Sequence, residues 1–147
     1  MKAQATIALV AGLLANAVTA QTSLGELSFG APQCGDGKLS GINAADCNTA
    51  VAQLLGAHCS GGVCSIPAAT GGASESAISV LVGKCEAFIG AFADGKAVTF
   101  NEDSVQQAFP GFISQCLATS GGFGSPILIS TDGVIRLVIS NGESGGG

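Results

Sequence analysis

Six cysteines, Cys34, Cys47, Cys59, Cys64, Cys85 and Cys116, constrain this 147-residue chain more than any other feature. An even number in a small chain with an export-type start is most simply read as three disulfides. Zinc is the weaker alternative, because no two cysteines have Cys-x-x-Cys spacing and there is a single histidine, His58. The spacing leaves the connectivity open. Cys47, Cys85 and Cys116 fall in stretches predicted as helical, whereas Cys34, Cys59 and Cys64 fall in loops or short strands. The expectation is that each helix is stapled to a non-helical segment.

The start of the chain explains how such bonds would form. Lys2 supplies a positive end, residues 5–17 are an apolar run, and Val18 and Ala20 are the small residues of a cleavage site. Residues 1–20 are read as a signal peptide cut before Gln21. Residues 21–147 are read as one secreted cysteine-rich domain with a flexible tail from about 141. No later stretch is long enough to span a bilayer as a helix. Of five basic side chains Lys2 lies in the leader, which leaves four against ten acidic ones. That balance opposes nucleic acid or anionic lipid as a partner, since phosphate recognition needs clustered Lys and Arg.

Apolar spacing then sets the expected elements. Residues 74–92 place Ile78, Leu81, Val82, Cys85, Phe88, Ile89 and Phe92 at steps of three and four, which predicts a central helix capped by Ser74. Gly83 and Gly90 on it suggest close approach of another backbone. Asn43 with Asp46 reads as a capping box for an earlier helix that carries Cys47, Ala50, Val51, Leu54 and Leu55 and stops at Gly56. A third helix begins at residues 101–104 and is interrupted by Pro110. Short strands are expected at 26–29, 63–66 and 97–100. Residues 127–130 and 134–140 flank Asp132-Gly133, the pairing that suits a type I′ hairpin turn. Their near-continuous apolar character predicts a hairpin covered on both faces, with Arg136 its one charge, pointing outward. Its long apolar edge could pair two copies of the chain. The expected fold is α+β: a compact disulfide-stapled α/β sandwich, about three helices on a small mixed or antiparallel sheet ending in that C-terminal hairpin.

Catalytic constellations are not evident. His58 adjoins Cys59 in a Gly-rich loop with no nucleophile motif around it, and Gly124-Ser125-Pro126 lacks the glycine spacing of a nucleophile elbow. Glu102 and Asp103 adjoin at a helix start, where capping and the helix dipole explain them better than glycoside hydrolysis does. The Gly-rich stretches follow no phosphate-loop pattern. No enzyme activity and no cofactor are expected.

Size, cysteine number, acidic charge and Gly/Ala/Ser-rich loops make the chain similar to the small secreted cysteine-rich proteins of filamentous fungi, the candidate effectors. Within that group, Gly41-Ile42-Asn43-Ala44-Ala45-Asp46-Cys47 leading into a helix resembles segments of α/β-sandwich members. Those include killer-toxin-like effectors and a fungal glycan-binding family. The resemblance implies a secreted, extracellular, non-enzymatic protein that binds a host or competitor molecule, protein or glycan. A lectin-like module is the alternative, and a killer-toxin-like antimicrobial a lower one. Absence of Trp and Tyr weighs against the lectin. The loops at 60–63 and 68–73 are the expected contact surface, because loops carry function.

Overall fold

The computed structural model describes residues 21–34, 41–118 and 126–142. The expected leader, the Gly124-Ser125 pair and the tail beyond 142 lie outside them. The described elements are β1 (Gln21–Gly25), α1 (Ala44–His58), β2 (Cys59–Ser60), β3 (Val63–Ile66), β4 (Glu75–Val82), β5 (Cys85–Phe92), β6 (Ala97–Asn101), α2 (Glu102–Ala118), β7 (Ile127–Ile129) and β8 (Ile135–Ser140). They form two four-stranded sheets, ordered β1-β6-β3-β2 and β4-β5-β8-β7. The first is mixed, since β1 runs parallel to β6. The second is antiparallel throughout. The α+β class holds, with two helices among the described residues rather than three.

The missing helix is the one expected over 74–92. That stretch is a β-hairpin, with Glu75 opposite Phe92 and Val82 opposite Cys85. The same residues satisfy a period of two. Ser76, Ile78, Cys85, Ala87, Ile89 and Ala91 are buried and Val80 and Val82 partly so, while Ala77, Ser79, Leu81 and Phe92 are exposed. β-Branched residues fit a pleated surface. Gly83 opens the two-residue turn at φ +57, which suits glycine at the first position of a hairpin turn.

Helix α1 starts as expected. The side chain of Asn43 accepts from the Asp46 amide at 2.8 Å, and its own amide donates to the Asp46 carboxylate at 2.8 Å. Cys47, Ala50, Val51, Leu54 and Leu55 are its buried face. Gly56 does not stop it. The helix continues to His58 and ends where Cys59 turns extended, φ −117 and ψ 143, to enter β2.

Helix α2 runs unbroken through Pro110, contrary to the expected interruption. Val105, Phe109, Phe112, Ile113 and Cys116 are buried on both sides of the proline. Burial of that face, together with a disulfide at Cys116, holds the two halves in line. Pro110 itself lies on the exposed side.

The final hairpin pairs Ile127 with Val138 and Ile129 with Arg136. Its turn is not type I′: Gly133 has φ +75, but Asp132 does not have the positive φ that type requires. Instead Gly133 donates to the Ser130 carbonyl, and the Asp132 carboxylate accepts from the Ser130 hydroxyl and the Val134 amide. The positive-φ Asp-Gly pair is Asp94-Gly95, at φ 52 and 71. The hairpin is also not covered on both faces. Ile135, Leu137 and Ile139 are buried and alternate with half-buried Arg136 and Val138. Nor is its edge open for pairing with a second copy. Gly30 and Gln33 donate to the carbonyls of Ile129 and Ile127, and Thr131 donates to Ser28. The expected strand over 26–29 reduces to this edging, with a single bridge from Phe29 to Ser130.

All six cysteines are bonded: Cys34–Cys116, Cys47–Cys85 and Cys59–Cys64. Each helix is tied to a non-helical segment, α2 to the loop at Cys34 and α1 to β5. The third bond departs from the expectation. It joins β2 to β3, because Cys85 lies in a strand and leaves no third helix to staple.

Candidate functional site

The strand registers place one set of side chains on the outer face of the second sheet. Its rows are Ala77–Gly90–Arg136–Ile129 and Ser79–Phe88–Val138–Ile127, flanked by Glu75–Phe92 and Leu81–Glu86–Ser140. Gly90 is the gap in this face. On β5 it separates Phe88 from Phe92, and the Arg136 side chain from β8 crosses it toward β4.

There the guanidinium meets the Glu75 carboxylate through two parallel bonds, Nε to Oε1 at 2.5 Å and Nη2 to Oε2 at 2.7 Å. The same guanidinium lies 5.2 Å from the Phe88 ring centroid and 5.1 Å from that of Phe92. Both distances are within the range where a cation is attracted to an aromatic face. A bidentate pair fixes orientation as well as charge. The group is therefore electrically neutral, rigid and only partly covered, with Arg136 29% and Glu75 24% exposed. Phe92, at 47% exposed, forms its accessible rim, and Leu81 and Ile129 extend the apolar surface to either side. Four residues along each strand from the Gly90–Arg136 row, Ser140 donates to the Glu86 carboxylate at 2.6 Å.

Such a face can bind. Arg136 points outward as expected, with its charge matched by Glu75. Gly90 does permit close approach, of an arginine side chain rather than a backbone.

Of the two expected contact loops, the second adjoins this face and the first does not. Residues 60–63 are the tight β2–β3 turn, fastened by Cys59–Cys64 and displaying Val63, which is 50% exposed. Residues 67–70 and Ala73 border a shallow groove against Glu75, Ser76 and Ala77. His58 is the last residue of α1 rather than a loop residue. Asn101 accepts from the Asp103 amide at 2.8 Å and caps α2, with Glu102 and Asp103 the acidic residues of its first turn. No group of three or more potential metal ligands occurs among the described residues. Nor is any described helix long and apolar enough to cross a membrane. The Asp132 carboxyl is held below the ordinary carboxylate range, chiefly by the Ser130 hydroxyl and then by the Val134 amide. It anchors a turn.

The sequence reading missed the Phe88–Arg136–Phe92 arrangement, because it assigned both phenylalanines to a helix stripe. An i, i+2, i+4 series Phe-x-Gly-x-Phe on a strand would have exposed the gap. Comparison with protein-family models, curated proteins and solved structures finds no match for this chain.

Proposed function

We propose that this chain is a secreted, non-enzymatic protein of the effector type, binding a host or competitor protein outside the cell through the outer face of the β4-β5-β8-β7 sheet. The observation that carries the reading is the half-exposed Phe92 beside a charge-neutral Arg136–Glu75 pair stacked on Phe88. Aromatic residues and arginine dominate the energetics of protein interfaces when they are rigid and centrally placed. Three disulfides in a chain of this size suit an extracellular life, because they suppress the open states that proteases cut.

A glycan-binding module is the second reading, favoured by the same rings: a phenyl face beside fixed polar groups offers stacking and hydrogen bonding to a sugar. A killer-toxin-like action is a third and lower reading. Growth inhibition at low dose would raise it.

The test is a binding screen of the oxidised protein beside its Phe92→Ala variant, on a broad glycan panel and on candidate host extracellular proteins. Saturable binding to one protein, weakened at least tenfold by Phe92→Ala, supports the effector reading. Binding displaced by a free sugar moves the assignment to the glycan reading. Binding unaffected by Phe92→Ala removes the sheet face as the surface.

A further inference from the structure

Among the described residues, strand edges are short or closed, with one exception. The β7 edge is bonded by residues 28–33. β2 has two residues and is fastened to β3 by a disulfide. β1 has five residues, with an irregularity between Ser23 and Gly25. β4 has eight residues, Glu75–Val82, and among the described residues it pairs with β5 alone. From Ser76 to Val82 it carries no charge and no proline. Proteins commonly guard such an edge with lysine, proline or a bulge. Among the described residues this one has none of these guards.

Shape commits its occupant to a second copy of the same strand, and the place of Lys84 sets the direction of pairing. Glu75 stands at one end of the uncharged stretch and Lys84 just past the other. Antiparallel self-pairing centred on Ser79, the midpoint of that stretch, sets each Glu75 next to the other copy's Gly83–Lys84 turn. Parallel in-register pairing would set the two Lys84 ammonium groups side by side, whereas the antiparallel register sets each beside the other copy's Glu75–Arg136 pair. In the same register Ala77 of one copy lies opposite Leu81 of the other. Leu81 is a projecting apolar side chain, 55% exposed. Ala77 borders the groove whose other walls include Pro67, Ala68, Ala69 and Ala73. Each copy thus offers a large side chain at one end of the edge and a recess lined by small ones at the other. A two-fold axis matches them twice, as an isologous interface requires.

We infer that two copies of this chain pair antiparallel along β4 about a two-fold axis at Ser79, forming one eight-stranded sheet. The pairing stands independently of what the outer face binds, and it would join two such faces into one surface.

The test uses the oxidised chain from Gln21 onward, by sedimentation velocity over a concentration series, with three single variants. Residues directly opposed in an antiparallel pair have Cα atoms about 4.5–5.5 Å apart. Ser79→Cys is therefore expected to yield a covalent dimer in air: two opposed thiols lose two protons and two electrons to dioxygen as the sulfur–sulfur bond forms. Leu81→Cys, which faces Ala77 rather than its own counterpart, is expected to cross-link at least tenfold more slowly. Leu81→Lys changes an exposed side chain and is expected to weaken dimerisation at least tenfold. A wild type that stays monomeric at every concentration overturns the inference. Equal cross-linking of the two cysteine variants, or a dimer indifferent to Leu81→Lys, overturns it as well.

Discussion

Gly90 lies where three side chains converge. A methyl group at its Cα would collide with the Glu75 carboxylate, the Phe88 ring and the Arg136 guanidinium. Because the ion pair is bidentate and stacked on two rings, it cannot yield without losing several contacts together. Gly90→Ala is expected to destabilise by about 1–3 kcal/mol, the usual scale for overpacking. Arg136→Met keeps the aliphatic stem and removes the charge, and should cost less, about 1 kcal/mol for a partly covered pair. Urea unfolding of both variants checks the order; a Gly90→Ala protein as stable as wild type would show that the stack is loose. Asp132 makes a different kind of prediction. Its folded pKa lies below the ordinary value because Ser130 and Val134 bond the charged form. A carboxyl depressed in this way stabilises the fold fully above its unfolded pKa, about 3.9. That contribution is lost as pH falls through the lower folded value. Asp132→Asn should therefore flatten the acid limb of stability below about pH 4, measured as the urea midpoint against pH. Parallel profiles for the two proteins would mean the turn bonds do not couple to folding.

Among the elements, α2 carries a local defect. Pro110 has no amide hydrogen, so the carbonyl of Gln106 loses its helical partner, and proline in a helix interior costs about 3 kcal/mol against alanine. Proline also restricts the unfolded chain, which returns roughly 0.4–1 kcal/mol. Pro110→Ala, on the exposed side, should raise stability by about 2–2.5 kcal/mol and leave the Cys34–Cys116 bond intact. A loss of stability would show that the helix is shaped around the proline. The same helix marks the limit of what the sequence discloses. Pro110 signals a break by local rules, yet burial of Phe109 and Phe112 on either side overrides it. Residues 74–92 are the sharper case. Ile78, Leu81, Cys85 and Phe88 satisfy a helical period, Ile78, Val80, Val82, Ala87 and Ile89 a strand period, and no local rule chooses between them. The choice is made by pairing with β8, about fifty residues on, which only the folded chain reveals. By contrast, the Asn43 cap, β3, β6 and the last hairpin were legible because each has a signal within a few residues. The site was not: Arg136 could be seen to face outward, but its partner Glu75 is 61 residues away.

For the molecule as a whole, the three disulfides divide by the length of chain they close and by how deeply they lie. Sequence separations are 82 for Cys34–Cys116, 38 for Cys47–Cys85 and 5 for Cys59–Cys64. Restriction of the unfolded chain alone gives about 4.5, about 4 and about 2 kcal/mol. Burial then narrows the gap between the first two. Cys47 and Cys85 are both wholly buried, at 0% exposed, whereas Cys34 is half-buried against a buried Cys116. Truncating Cys47 and Cys85 to alanine therefore adds a packing loss that the loop term omits. The Cys59–Cys64 bond spans a turn that already closes through the β2–β3 pairing, so even its smaller term overstates what it supplies. Paired Cys→Ala variants should accordingly fall into two groups. Loss of Cys59–Cys64 should lower the thermal midpoint by a few degrees and keep the fold. Loss of either long-range bond should lower it several times further, with those two variants close to one another. Calorimetry on the three double variants is the measurement. If the Cys59–Cys64 variant proved the least stable, the two sheets would be held together through the end of α1 at that hairpin rather than through the bonds from α1 and α2 across the core.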